Sequence, residues 1–220
     1  MSANSIPFPS SVSSLGDLTG RLDNATHAAR MAWAYSLGEP EQLALFALAE
    51  GSTLTVDDVV LPDEAVFIHP GRNGLPRFNR FEKRFARLGD QIVGYNHNDQ
   101  IGGPFNFLAK RITGPGHYTA YNGPSGTEIW IDYRTIPKRR HPEFPALIDN
   151  DHGLRALVFG NMVDILRRVS THVLIGNAFK NMSRGRTLLS RLGSRFPTAP
   201  FVLVQPETTH TLRDRAQARP

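Results

Sequence analysis

The spacing of apolar residues changes character near residue 91. Before that point it is helical. In "DNATHAARMAWAYSLG", Ala28, Met31, Ala32 and Tyr35 share one helical face, Asp23 or Asn24 is placed to cap the start, and Gly38 to stop it. "EPEQLALFALAEG" repeats the device, with Pro40 in the first turn, acids at the positive end, Leu43, Phe46 and Ala47 on one face, and Gly51 after the last turn. "FIHPGRNGLP" (67–76) reads as a loop, because two prolines and two glycines interrupt it. In "RFNRFEKRFARLG", Phe78, Phe81, Phe85 and Leu88 fall on one stripe, which predicts a basic helix over 77–88.

After residue 91 the runs become short and rich in β-branched and aromatic residues: "QIVGYN", "PFNFLAKRIT", "HYTAYNG", "EIWIDYRTIP", "LRALVFG", "HVLIGNAFK" and "PFVLVQ". In "EIWIDYRTI", Ile129, Ile131 and Tyr133 alternate with Trp130 and Asp132, so the strand carries rings on both faces. "GPG" and "GPSG" suit tight turns between antiparallel neighbours. "NMVDILRRVS" reads as a connector. The pattern predicts an α+β fold, with N-terminal helices packed on a mostly antiparallel, strongly curved β-sheet or lipocalin-like barrel. The expected layout is a loose N-terminus over 1–16, one domain over 17–207 (helical 17–90, β-rich 91–207) and a frayed tail over 208–220.

Composition narrows the functions. The chain has 220 residues, enough to bury a sizeable core, and contains no run of apolar residues long enough for a transmembrane helix. It contains no cysteine, which excludes disulfides, thiolate metal sites and cysteine nucleophiles within it and fits a reducing, cytoplasmic setting. The first residues lack the basic start and apolar run of a secretory signal. The formal charge of +5 permits an acidic partner. Ordinary solvated faces explain it more simply, so nucleic acid is disfavoured.

The stretch "LRALVFGNMVDILRRVSTHVLIGNAF" (154–179) resembles the closing part of lipocalin-like bacterial domains of the GXWXG type. The matching features are Asp164, Arg167, Arg168 and Gly176, whereas neither "MAWAY" nor "EIWID" carries the glycines that flank the tryptophan in that family. The resemblance implies a small β-barrel enclosing a ligand cavity.

Polar residues that could work in such a cavity gather near the strand ends. In "GYNHNDQIGG", His97 and Asp99 lie two apart, so an extended strand points both the same way. With His117 and Tyr118 they are the catalytic candidates, a histidine base with a carboxylate to orient it and a phenol to donate. Tyr95, Phe105, Phe107, Tyr121, Trp130, Tyr133, Arg72 and Arg168 are the ligand-binding candidates. Asp164 with an arginine is either a surface pair or a buried one. No metal-ligand spacing, dinucleotide fingerprint, phosphate loop or nucleophile elbow occurs, so neither metal nor cofactor is expected. Three readings remain: binding of an apolar or aromatic small molecule in a barrel-like cavity, a cofactor-independent isomerase or cyclase acting in the same cavity, and nucleic-acid binding through the basic segment 77–88.

Overall fold

The computed structural model describes residues 6–60, 65–74, 79–98, 115–151, 156, 159–180 and 199–206. Three helices come first: α1 (Leu15–Asp23), α2 (His27–Ser36) and α3 (Glu39–Leu48). Eight strands follow: β1 (Phe67–Asn73), β2 (Arg80–Leu88), β3 (Gln91–His97), β4 (His117–Asn122), β5 (Ile129–Asp132), β6 (Met162–Arg168), β7 (Val173–Lys180) and β8 (Ala199–Val204). Each strand runs antiparallel to the next, and β8 returns to β1, closing the sheet into a barrel. The expected α+β architecture with a lipocalin-like barrel is what forms.

Three segments form strands where another state is expected, and in "LRALVFG", expected as a β-type run, the described residues are helical at Ala156 and in a turn at Phe159 and Gly160. Residues 80–88 are strand β2, not part of a helix over 77–88. Phe81 and Phe85 lie four apart, a spacing that keeps one face in a helix and also in a strand. With β1 and β3 pairing along both edges of β2, the strand solution wins. "FIHPGRN" is strand β1, not a loop. It accommodates Pro70 because β1 meets β8 only from Gly71 to Asn73, which leaves Pro70 beyond the end of that ladder. "MVDILRR" is strand β6, not a connector, and places Asp164 opposite Ile131 and Ala178 on its two neighbours.

The N-terminal expectation shifts as well. α2 is capped by Thr26, whose Oγ1 accepts from Ala29 N at 3.2 Å, and not by Asp23 or Asn24, which end the additional helix α1. Residues 6–14, expected to be loose, are held in place: Trp33 Nε1 donates to Pro7 O at 2.9 Å, and Ser10 bonds the Glu41 carboxylate. The helices lie outside the barrel. Leu18, Leu22, Trp33, Leu37 and Leu45 pack on Val173 and Ile175 of β7 and on Val202 and Val204 of β8.

Strand alternation divides the barrel residues cleanly. Inward-facing Phe67, Phe85, Ile92, Tyr118, Ile129, Ile131, Leu166, Leu174, Phe201 and Leu203 form the main core. Outward-facing Val66, Ile68, Val93 and Tyr95 are covered by Phe144 from the β5–β6 link. Short turns join β2 to β3 and β6 to β7 at one end, and there Leu54, Val59 and Val60 join the core from the segment that precedes β1. The three longest links, 98–116, 133–161 and 181–198, all leave from the other end.

Candidate functional site

Two charged residues occupy inward positions that the alternation would otherwise give to apolar side chains. Lys83 stands between Phe81 and Phe85 on β2, and Asp164 between Met162 and Leu166 on β6. In an eight-stranded ring these strands are four apart either way round, so they face each other across the lumen. Lys83 Nζ meets Asp164 Oδ2 at 2.7 Å, and the two residues are 1% and 2% exposed.

The pair is part of a network drawn from β2, β3, β6 and the residue that follows β5. Lys83 Nζ also donates to Tyr133 Oη at 2.6 Å and to Asn96 Oδ1 at 3.1 Å. Asn96 Nδ2 donates to Tyr133 Oη at 2.9 Å, and Tyr133 Oη lies 3.1 Å from Asp164 Oδ2, the stronger acceptor for its single proton. Lys83 and Asn96 are direct cross-strand partners, as are Lys83 and His69, so β1 to β3 carry a row of inward polar groups. Rings surround the ammonium: Nζ is 4.7 Å from the centroid of Phe201 and 5.2 Å from those of Tyr118 and Tyr133.

Burial dominates the electrostatics. It pushes the Lys83 ammonium below its usual range, against the pull of Asp164, and raises the phenols of Tyr118 and Tyr133 well above theirs. His69 is held down to about 4 by burial. Its Nε2 lies 3.1 Å from Val59 O, which can only accept, so the proton sits on Nε2 and Nδ1 carries the lone pair. Among the described residues of this layer, His69 Nδ1 and Asp164 Oδ1 are buried without a hydrogen-bond partner. The inward positions near the long-link end, Asn73, Phe81, Asn96, Lys180 and Ala199, are only partly buried and form a rim above this layer.

The residues singled out in the sequence divide between the two faces. Tyr118 and Tyr133 point inward; Tyr118 Oη donates to Arg84 O at 3.1 Å. Tyr95, His97 and His117 are on the outer face. There Arg84 Nη1 donates to Tyr95 Oη at 3.0 Å, the Tyr95 ring packs edge-on to His97 and Phe144, and His117 Nε2 lies 3.0 Å from Ala146 O. Asp99, Phe105 and Phe107 lie outside the described residues. Tyr121 is exposed and donates to Asp132 Oδ2 at 3.3 Å, and Trp130 donates to Glu128 at 3.1 Å, both on the outer face. Arg72 donates to Tyr35 O, tying β1 to α2. Arg168 holds Asp58 at 2.7 Å and Thr53 O at 2.7 Å, which anchors the closing segment at the short-turn end. Asp164 does form a buried pair, with a lysine instead of an arginine. Lys83, Asn96 and His69 were not among the candidates.

Among the described residues no three histidine, aspartate or glutamate side chains are grouped to hold a metal ion, and no helix is long and apolar enough to cross a membrane. No family model matches the chain, and no curated protein or solved structure is significantly similar to it.

Proposed function

We propose that the barrel binds a small, largely apolar or aromatic molecule at its long-link end, with the Lys83–Asn96–Tyr133–Asp164 network as the polar floor of the site. The observation that carries this reading is the position of that network. Ionisable groups from opposite walls of the barrel converge within an aromatic lumen, one layer below a partly buried rim. Ligand sites in barrels have this composition, an apolar wall with a few convergent polar groups. The resemblance of residues 154–179 to GXWXG-type lipocalin-like domains points the same way.

Native mass spectrometry of the freshly purified protein tests the proposal by looking for a retained molecule. A second measurement uses N-phenyl-1-naphthylamine, a neutral dye whose fluorescence should rise on entering the lumen of the folded protein and whose binding should raise the Tm. Absence of any retained mass, together with no dye uptake below the melting transition, would reject it.

The network also supports a second reading, a cofactor-independent isomerase or cyclase in the same lumen. Asp164, Tyr133 and Lys83 place a carboxylate, a phenol and an ammonium within hydrogen-bonding distance of one another, the equipment for moving a proton on a bound substrate. The nucleic-acid reading is tied to a helix over 77–88, and the described residues 80–88 form a barrel strand instead. Arg84 of that strand pairs with Glu82 at 2.6 Å, Arg87 pairs with Asp57, and Arg80 stacks over Tyr35.

A further inference from the structure

The hydrogen-bond balance of the lumen indicates which chemical group a ligand must present, an inference that rests on the binding reading above. Lys83 has three ammonium protons, and all three have oxygen partners: Asp164 Oδ2, Tyr133 Oη and Asn96 Oδ1. The single proton of Tyr133 is directed to Asp164 Oδ2 at 3.1 Å, with Asn96 Oδ1 next at 3.2 Å, and its oxygen already accepts from Lys83 and Asn96. The layer's buried donors are therefore satisfied, and what is left over accepts. Asp164 Oδ1 is buried and unpartnered, and so is Nδ1 of His69, the ring atom that carries the lone pair.

The wall beside Asp164 is low. Its cross-strand partner on β7 is Ala178, and the partner of Ala178 on β8 is Ala199, so two adjacent strands present only methyl groups there. Every other inward position of the main core on β4 to β6 carries a larger side chain except Ala120. A buried carboxylate oxygen without a donor carries a free-energy cost, and a ligand that brings the donor removes it.

We propose that the ligand is a neutral molecule whose hydroxyl or N–H group donates to Asp164 Oδ1 beside Ala178, with its apolar body against the aromatic lining. A second anion at that position would face the Asp164 carboxylate. An aprotic ligand would leave Oδ1 unpaired. The rim supplies a competing attraction: Lys180 is inward-facing on β7, two residues beyond Ala178, and would favour a carboxylate.

Three probes on one skeleton separate these cases: 2-naphthol, 2-methoxynaphthalene and 2-naphthoate, titrated by calorimetry at neutral pH with the neutral dye N-phenyl-1-naphthylamine as reference. The naphthol should bind about tenfold or more tightly than its methyl ether, the discrimination expected when a site's buried polar group is left without its partner. It should also bind more tightly than the carboxylate. The advantage over the ether should vanish in Lys83→Met/Asp164→Leu, which removes both charges together, and Ala178→Leu should weaken the naphthol by filling the space beside Oδ1. Equal affinity of naphthol and ether, or a preference for naphthoate, overturns the inference while the binding reading stands. If neither the dye nor any naphthalene binds, both fall.

Discussion

Lys83 and Asp164 illustrate how a charge tolerates burial: each is placed where the other and two neutral polar groups reach it. Removing one partner should be costly and removing both should not. Asp164→Ala is expected to lose about 3–5 kcal/mol, because it strands an ammonium among rings, whereas Lys83→Met/Asp164→Leu should unfold in urea within about 1 kcal/mol of the parent or above it. A double variant as unstable as the single would show that the pair contributes net stability. His69 adds a pH dependence of known sign. Its pKa falls from about 6.5 in the unfolded chain to about 4 when buried, so the unfolded state takes up the proton first as pH drops. Stability is then complete above pH 6.5 and falls toward pH 4, by about 3 kcal/mol from this group. His69→Gln, which keeps a donor for Val59 O, should lack that loss when urea midpoints are compared at pH 7 and pH 4.5.

At the scale of elements, what the sequence made legible followed strand alternation. β3, β4, β5, β7 and β8 stand where short β-type runs predict them, and Ile129, Ile131 and Tyr133 face inward as their alternation implies. Helical spacing located α2 and α3, but α1 was not distinguished: Leu15 and Gly16 fall in the stretch that reads as loose, and 17–23 in the part that reads as helical without a pattern of its own. The error over β2 had a consequence for the site. In a helix Lys83 sits on a solvated flank; in a strand it takes the inward position between Phe81 and Phe85. The legible signal was a lone charge in an apolar register, present twice with opposite sign, at Lys83 and at Asp164. That signal depends on knowing the period first. His69 was obscured in the same way, by a proline and glycine that imply a loop until β1 is seen to end its pairing with β8 beside them.

Close packing within the barrel rests on inward glycines, Gly176 among them. A Cβ on Gly176 of β7 would collide with the ring of Phe201, its cross-strand partner on β8. Gly176→Ala is therefore expected to cost about 1–3 kcal/mol. Phe201→Leu in the same chain should recover part of it, and the double-mutant cycle should show coupling of at least about 0.5 kcal/mol. Additive losses in thermal denaturation would mean that the ring moves aside freely.

Across the whole molecule, helices and barrel share one apolar interface, in which Trp33 of α2 is buried with Val202 and Val204 of β8. They should unfold as one unit. Far-ultraviolet dichroism, which reports the helices, and fluorescence of Trp130 on β5 in a Trp33→Phe variant, which reports the barrel, should give coincident urea transitions. Separate midpoints would make the helices an independent layer.

The closure of the barrel between its first and last strands also dictates an order of events in folding. Gly71 must find Leu203, and these contacts join the most distant parts of the barrel sequence. β8 also supplies much of the surface on which α2 and α3 dock. α2 and α3 are therefore made well before β8 and lack their main partner until that last described strand is made. The apolar faces of α2 and α3 are exposed during that interval, and a chain stopped before residue 199 would present them together with an unclosed lumen to chaperones and proteases.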